Sequence, residues 1–154
     1  MNDYIKKYKI GFSFYGLLAF LFQELPYLPW LLCPPINNPL ANNIPVSTFF
    51  GTIEKIGGVL TVVSLIFVTR KLTMQKDFKN AHLIIAVMCL IAYYVCWVLY
   101  FNGITNILLI IMGLTAVVPI YYFFVAMWLK NYFAAIISIL FLIGHTISNI
   151  INYT

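Results

Sequence analysis

The chain has 154 residues, of which 63% are apolar and 8% charged, with a mean hydropathy of +0.96 and a net charge of +5. This lies far outside soluble globular composition and defines an integral membrane protein, one domain by length. The strand alternation of an outer-membrane barrel is missing throughout, so the expected fold is all-α, a five-transmembrane-helix bundle forming a single membrane domain over residues 1–154.

The predicted spans are Ile10–Leu32, Phe49–Val68, Ala81–Phe101, Ile104–Leu129 and Tyr132–Tyr153. Each is near the 20 residues that cross a hydrocarbon core as a helix. The first follows Lys6, Lys7 and Lys9 and has the look of a secretory signal. No small-residue cleavage pattern comes after it, and a retained helix is expected. Six of the seven prolines lie between Pro26 and Pro45. Pro26 disfavours helical geometry at Leu25, so a break is predicted just after Glu24. Tyr27 and Trp30 make the following segment amphiphilic. Beyond it Asn37, Asn38, Asn42 and Asn43 alternate with prolines, a turn-rich pattern. This loop, residues 33–48, is the longest on its side and is read as a lid.

On the second span Gly51, Glu54, Gly58 and Thr61 share a face, and small residues there let a neighbouring helix approach closely. Glu54 then needs a partner, with Lys55 and His145 as candidates. The third span carries His82, Cys89, Tyr93, Cys96, Trp97 and Tyr100 in a one-sided row. Cys89 and Cys96 stand about 10 Å apart along one helix, too far for a disulfide. The pair Asn102–Gly103 predicts a tight turn into the fourth span, where Pro119 predicts a kink. In the fifth, Asn131, Ser138, His145, Asn149 and Asn152 fall on one face. Such a stripe turns to the bundle interior or a wet cavity, or joins helices by hydrogen bonds. A glycosylation sequon at Asn152 abuts the membrane.

Eight of the nine basic residues fall on one side of this topology, Lys55 excepted. The excess of positive charge in cytoplasmic loops places the N-terminus inside and the C-terminus outside, in the plasma membrane. It also explains the net charge without nucleic acid as a partner, since no Arg-rich arm or nucleic-acid motif accompanies it. No metal-ligating motif and no redox cysteine pair is present, and the residues identify no particular cofactor.

Counting 1.5 Å per residue puts Glu24, Glu54 and His145 about 20 Å above the inner face, with Tyr93, Trp97 and Thr115 at similar depth. Intramembrane ionisable groups mark functional sites. The candidate ligand-binding residues are therefore Glu24, Glu54, His145, Asn149, Tyr93, Trp97, Tyr27 and Trp30, lining an outward-facing pocket. Three functions follow. One is binding or transport of a small amphipathic or aromatic molecule, as a homo-oligomer or with a partner membrane subunit. Another is an intramembrane acid–base enzyme using Glu24 or Glu54 with His145 on a lipid-like substrate. The last is a structural or accessory subunit of a membrane complex. In length, helix number and basic balance the chain is similar to the translocator-protein group, but that group's Trp- and Pro-bearing second-helix signature is not found in "TFFGTIEKIGG".

Overall fold

The computed structural model describes residues 7–42, 46–71, 78 and 80–153 and is predominantly helical. A short strand, β1 (Tyr8–Ile10), leads into α1 (Phe14–Glu24) and α2 (Tyr27–Leu32), and a single 3-10 turn at Pro39–Asn42 interrupts the loop that follows. Helix α3 (Thr48–Phe67) runs into β2 (Val68–Arg70), and α4 spans Ala81–Phe101. Helix α5 (Leu109–Trp128) opens in wide π-type turns over Leu109–Ala116 and continues as an α-helix, and α6 covers Tyr132–Tyr153. Four helices, α3 to α6, are each long and apolar enough to cross a membrane.

Local chemistry explains where these helices begin. Ser13, Ser47 and Asn80 cap α1, α3 and α4, each accepting a bond from a backbone N–H of the first turn, as short polar side chains do at helix starts. Asn106 does the same for Leu109, so the fourth long helix starts later than the expected Ile104. The preceding turn relies on Gly103 at φ 87°, a conformation glycine adopts freely.

The first apolar segment differs from expectation. Ile10–Leu32 is not one continuous span: α1 has 11 residues, about 16 Å of helix. The break sits at Pro26, although Leu25 keeps helical geometry at φ −50°, ψ −42° and its N–H still bonds the Leu21 carbonyl at 3.2 Å. Pro26 lacks the N–H that would bond the carbonyl of Phe22. The Tyr94 hydroxyl of α4 donates to that carbonyl instead, so the neighbouring helix satisfies the group that proline leaves exposed.

A two-stranded ribbon ties the chain together at one end. β1 and β2 pair antiparallel, Tyr8 opposite Arg70 and Ile10 opposite Val68. Gly11 and Ser13 donate to the carbonyls of Phe67 and Ile66. The Tyr8 hydroxyl donates to the Lys130 carbonyl and accepts from the Tyr132 N–H. Lys7, Lys9, Arg70, Lys71 and Lys130 therefore gather at one end of the bundle, the basic end. Lys6, Lys76 and Lys79, expected with them, lie outside the described residues. The Pro39–Asn42 turn sits at the opposite, loop end.

Helix α5 is the most buried of the four and packs between α4 and α6, while α3 lies along α6 and α1 fits against α3 and α5. Close approach depends on missing side chains. A Cβ at Gly144 would lie 2.8 Å from the Glu54 backbone nitrogen, and one at Gly16 would lie 2.2 Å from the Leu65 carbonyl oxygen. Outward faces are apolar: Ile56, Val59 and Val63 on α3 and Ile84, Met88, Ile91 and Val95 on α4 are all exposed. Large exposed apolar surfaces of this kind are rare in water and ordinary in lipid.

Between α5 and α6 the chain reverses within Leu129–Asn131. The Asn131 N–H bonds the Ala126 carbonyl and the Lys130 N–H bonds that of Met127, the paired pattern that closes a helix through a left-handed residue. That residue is Lys130, at φ 56°. Because left-handed geometry costs a non-glycine residue about 1–2 kcal/mol, Lys130→Gly is expected to raise the thermal unfolding midpoint in detergent. A lowered midpoint would show that side-chain contacts of Lys130 outweigh the backbone strain.

Candidate functional site

Three polar or aromatic junctions stand above the basic end. The most buried is centred on Gln23, 4% exposed, near the end of α1. Its Oε1 accepts from the Tyr122 hydroxyl at 2.6 Å and its Nε2 donates to the Tyr93 hydroxyl at 3.1 Å. One amide thus joins α1 to α4 and α5. The Tyr121 hydroxyl adds a bond to the Ala19 carbonyl at 3.0 Å. Gln23 was not among the residues expected from sequence, unlike its charged neighbour Glu24. The signal available was its position: an amide inside an apolar run requires a partner, and it stands one residue before the predicted helix break.

Above this junction the rings of α2 and α4 form a continuous cluster. Trp97 meets Tyr27 at 5.3 Å, Tyr100 at 5.6 Å, Phe101 at 5.7 Å and Tyr93 at 6.1 Å between ring centroids, and Tyr27 meets Trp30 at 6.0 Å. Most of these contacts are edge-to-face, the arrangement aromatic quadrupoles favour. Tyr93, Trp97 and Tyr100 are buried, whereas Tyr27 is exposed and Trp30 half-buried. The loop is fastened onto the cluster by Asn38, whose Oδ1 accepts from Trp30 Nε1 at 3.0 Å and from the Tyr100 hydroxyl at 2.7 Å. The Leu40 N–H donates to that same hydroxyl, Asn37 bonds Thr105, and the Val46 N–H bonds Asn152. Asn43 and Pro45, expected within the lid, lie outside the described residues.

The third junction locks α3 to α6. His145 Nδ1 lies 2.9 Å from Glu54 Oε1. An ionised carboxylate only accepts, so Nδ1 carries the proton and donates. Asn149 Nδ2, 3.3 Å from that nitrogen, gives its hydrogen to the His145 carbonyl at 2.8 Å. The imidazole stacks on Phe141 at 5.0 Å. Ser148, fully buried, lies close enough to interact with Glu54 but makes no hydrogen bond of ordinary geometry. Of the two candidate partners for Glu54, His145 makes the contact, while Lys55 is exposed.

The eight expected site residues therefore fall into groups. Glu54, His145 and Asn149 form the clamp, and Tyr27, Trp30, Tyr93 and Trp97 form the cluster. Glu24 joins neither by direct contact. It is half-buried, makes no hydrogen bond or ion pair among the described residues, and lies within electrostatic reach of Tyr27, Tyr93 and Tyr122. Tyr27 is also within electrostatic reach of Glu54. The remaining polar stripe of α6 serves the fold. Asn131 Nδ2 donates to the carbonyls of Ser64 and Val68, while its Oδ1 accepts from Ala134. Ser138 bonds the Ala135 carbonyl one turn back. Beside Ser138, Pro119, Phe123, Phe124 and Leu142 line an apolar groove of about 250 Å³. No group of three metal-ligating side chains occurs among the described residues.

Comparison with protein-family models, with curated proteins and with solved structures finds no match.

Two outcomes test these junctions. Gln23→Leu strands the Tyr122 hydroxyl in an apolar interior and is expected to lower stability by about 1–3 kcal/mol, read as a fall in unfolding midpoint. An unchanged midpoint would mean that the amide bonds carry no net stability. In a thermal cycle of Glu54→Gln, His145→Ala and the double variant, contact across α3 and α6 predicts a coupling of at least about 0.5 kcal/mol. Additive losses would show that the pair does not couple the helices.

Proposed function

We propose that the chain is a five-crossing membrane protein of the plasma membrane that binds or transports a small amphipathic or aromatic molecule at its loop end. In this topology the kinked run of α1 and α2 supplies the first crossing. The basic end is cytoplasmic, since Lys and Arg concentrate on that side, and the loop and the C-terminus lie outside. The supporting observation is the aromatic cluster of Tyr27, Trp30, Tyr93, Trp97 and Tyr100, which lies under a fastened loop with the carboxylates of Glu24 and Glu54 within electrostatic reach of Tyr27. Ligand sites combine apolar aromatic walls with a few placed polar groups. Exposed Tyr27 is the ring a ligand would meet first. Transport would call on a partner membrane subunit or a second copy, because a single unit lacks the paired repeats that gate many transporters.

One observation favours a second reading, an intramembrane acid–base enzyme. With Nδ1 of His145 held by Glu54, its Nε2 keeps a lone pair and has no partner among the described residues. A carboxylate-oriented imidazole is the arrangement of a general base. Loss of a membrane-lipid substrate in vesicles containing the wild type but not His145→Ala would support the enzyme. Equal lipid profiles would remove it.

Binding is tested on purified protein in nanodiscs, by native mass spectrometry and thermal shift with a panel of indoles, phenols and quinolines. At least one member is expected to bind, and Tyr27→Ala and Trp97→Ala to weaken it about tenfold or more, the loss of one good aromatic contact. A panel with no binder, or binding indifferent to both substitutions, would overturn the proposal.

A further inference from the structure

The bonding around Gln23 leaves two donors without acceptors. The Tyr93 hydroxyl accepts from Gln23, and its own proton has no acceptor among the described residues. Trp97, 3% exposed, has an indole Nε1 with no hydrogen-bond partner. That N–H lies close to the Tyr93 oxygen without making a hydrogen bond of ordinary geometry. Two N–H and O–H groups therefore stand close together, on residues that are each at least 97% buried. Buried donors are nearly always paired, and an unpaired one costs about 1–3 kcal/mol. One acceptor oxygen placed between them would satisfy both donors.

Its surroundings restrict what carries that oxygen. Glu24 is half-buried, without a bonded partner among the described residues, and within electrostatic reach of Tyr93. It is the last residue of α1, at the negative end of the helix dipole. Glu54 adds a second carboxylate within electrostatic reach of Tyr27. An anionic acceptor would be repelled from this corner. A neutral oxygen would not, and a cationic nitrogen a few bonds away would meet Glu24 and the negative faces of the rings.

We infer that the ligand is a small aromatic cation whose neutral carbonyl or ether oxygen accepts from Trp97 Nε1–H and Tyr93 O–H, while its ammonium nitrogen pairs with Glu24. This rests on the binding function proposed above and specifies the chemistry of its ligand. The apolar body then lies on Tyr27 and Trp30, below Asn38 of the loop.

Four aniline probes separate the parts. Procainamide carries an aromatic ring, an amide carbonyl and a protonated tertiary amine. N-butyl-4-aminobenzamide lacks the amine, 4-aminohippurate replaces it with a carboxylate, and 4-butylaniline lacks the carbonyl. Affinities are measured in nanodiscs by microscale thermophoresis, with empty discs subtracted. Procainamide is expected to bind at least about tenfold more tightly than N-butyl-4-aminobenzamide, the size of one charge-assisted bond, and 4-aminohippurate not to bind. Glu24→Gln is expected to erase the preference for procainamide. Trp97→Phe keeps a ring and removes the donor, and should weaken both uncharged and cationic amides about tenfold while leaving 4-butylaniline unchanged. Because a substituted helix can misfold, a second readout uses the wild type: procainamide should shift the indole N–H resonance of Trp97 downfield.

Probes that bind at the cluster but without charge preference, or with affinities indifferent to Trp97→Phe and an unmoved indole resonance, would overturn this assignment and leave the binding function standing. In that case the two donors are satisfied by water. Absence of binding by all four probes, together with a silent wider panel, would overturn both.

Discussion

A neutral amide sealed among three helices carries much of this architecture. Gln23, 4% exposed, has two polar atoms to satisfy, and it satisfies them with Tyr122 on α5 and Tyr93 on α4. Within hydrocarbon an unpaired amide costs several kcal/mol, so α1 cannot slide or rotate without breaking both bonds. The proline break three residues later works in the same direction: the freed Phe22 carbonyl is met by Tyr94. Neighbouring residues on α4, Tyr93 through the Gln23 amide and Tyr94 through the Phe22 carbonyl, thus hold the end of α1 twice.

From this anchor the aromatic cluster takes its position. Tyr27 and Trp30 leave the pinned turn and lean toward Trp97 and Tyr100, and the loop closes over them through one asparagine oxygen that accepts two bonds. The clamp between Glu54 and His145 has a different task. It fixes the register of α3 against α6 at the level where Gly144 brings the two backbones together. A half-buried polar contact of this kind acts less through net stability than through the one arrangement of the two helices that lets it form. The loop end of the molecule is therefore built on polar pairs, while the basic end relies on a short ribbon and the Tyr8 hydroxyl.

Much of the helix pattern was legible because a transmembrane segment is written in composition, and composition varies slowly along a chain. The contact between Glu54 and His145 was legible for a related reason: charged groups in lipid require partners, and few were offered. Other features depended on tertiary contacts that no local pattern records. The three-residue strands Tyr8–Ile10 and Val68–Arg70 are too short to show a period. Leu25 was expected to leave helical geometry before Pro26, yet retained bonds on either side hold it there. The polar stripe of α6 was visible as a stripe, but Asn131 as a double cap joining α3 to α6 depends on where Ser64 and Val68 end up. Gln23 was masked by the charge beside it, although the amide is the more deeply buried of the two.

The central claim is that the cluster around Trp97 receives a molecule from outside the protein. An experimental density map of the protein in lipid nanodiscs, prepared without added ligand and again with procainamide, addresses it directly. The predicted result is non-protein density against Tyr27 and Trp97, with an atom within hydrogen-bond distance of the indole nitrogen. A map in which the rings stay closed on one another in both preparations, with at most a water at that nitrogen, would contradict it.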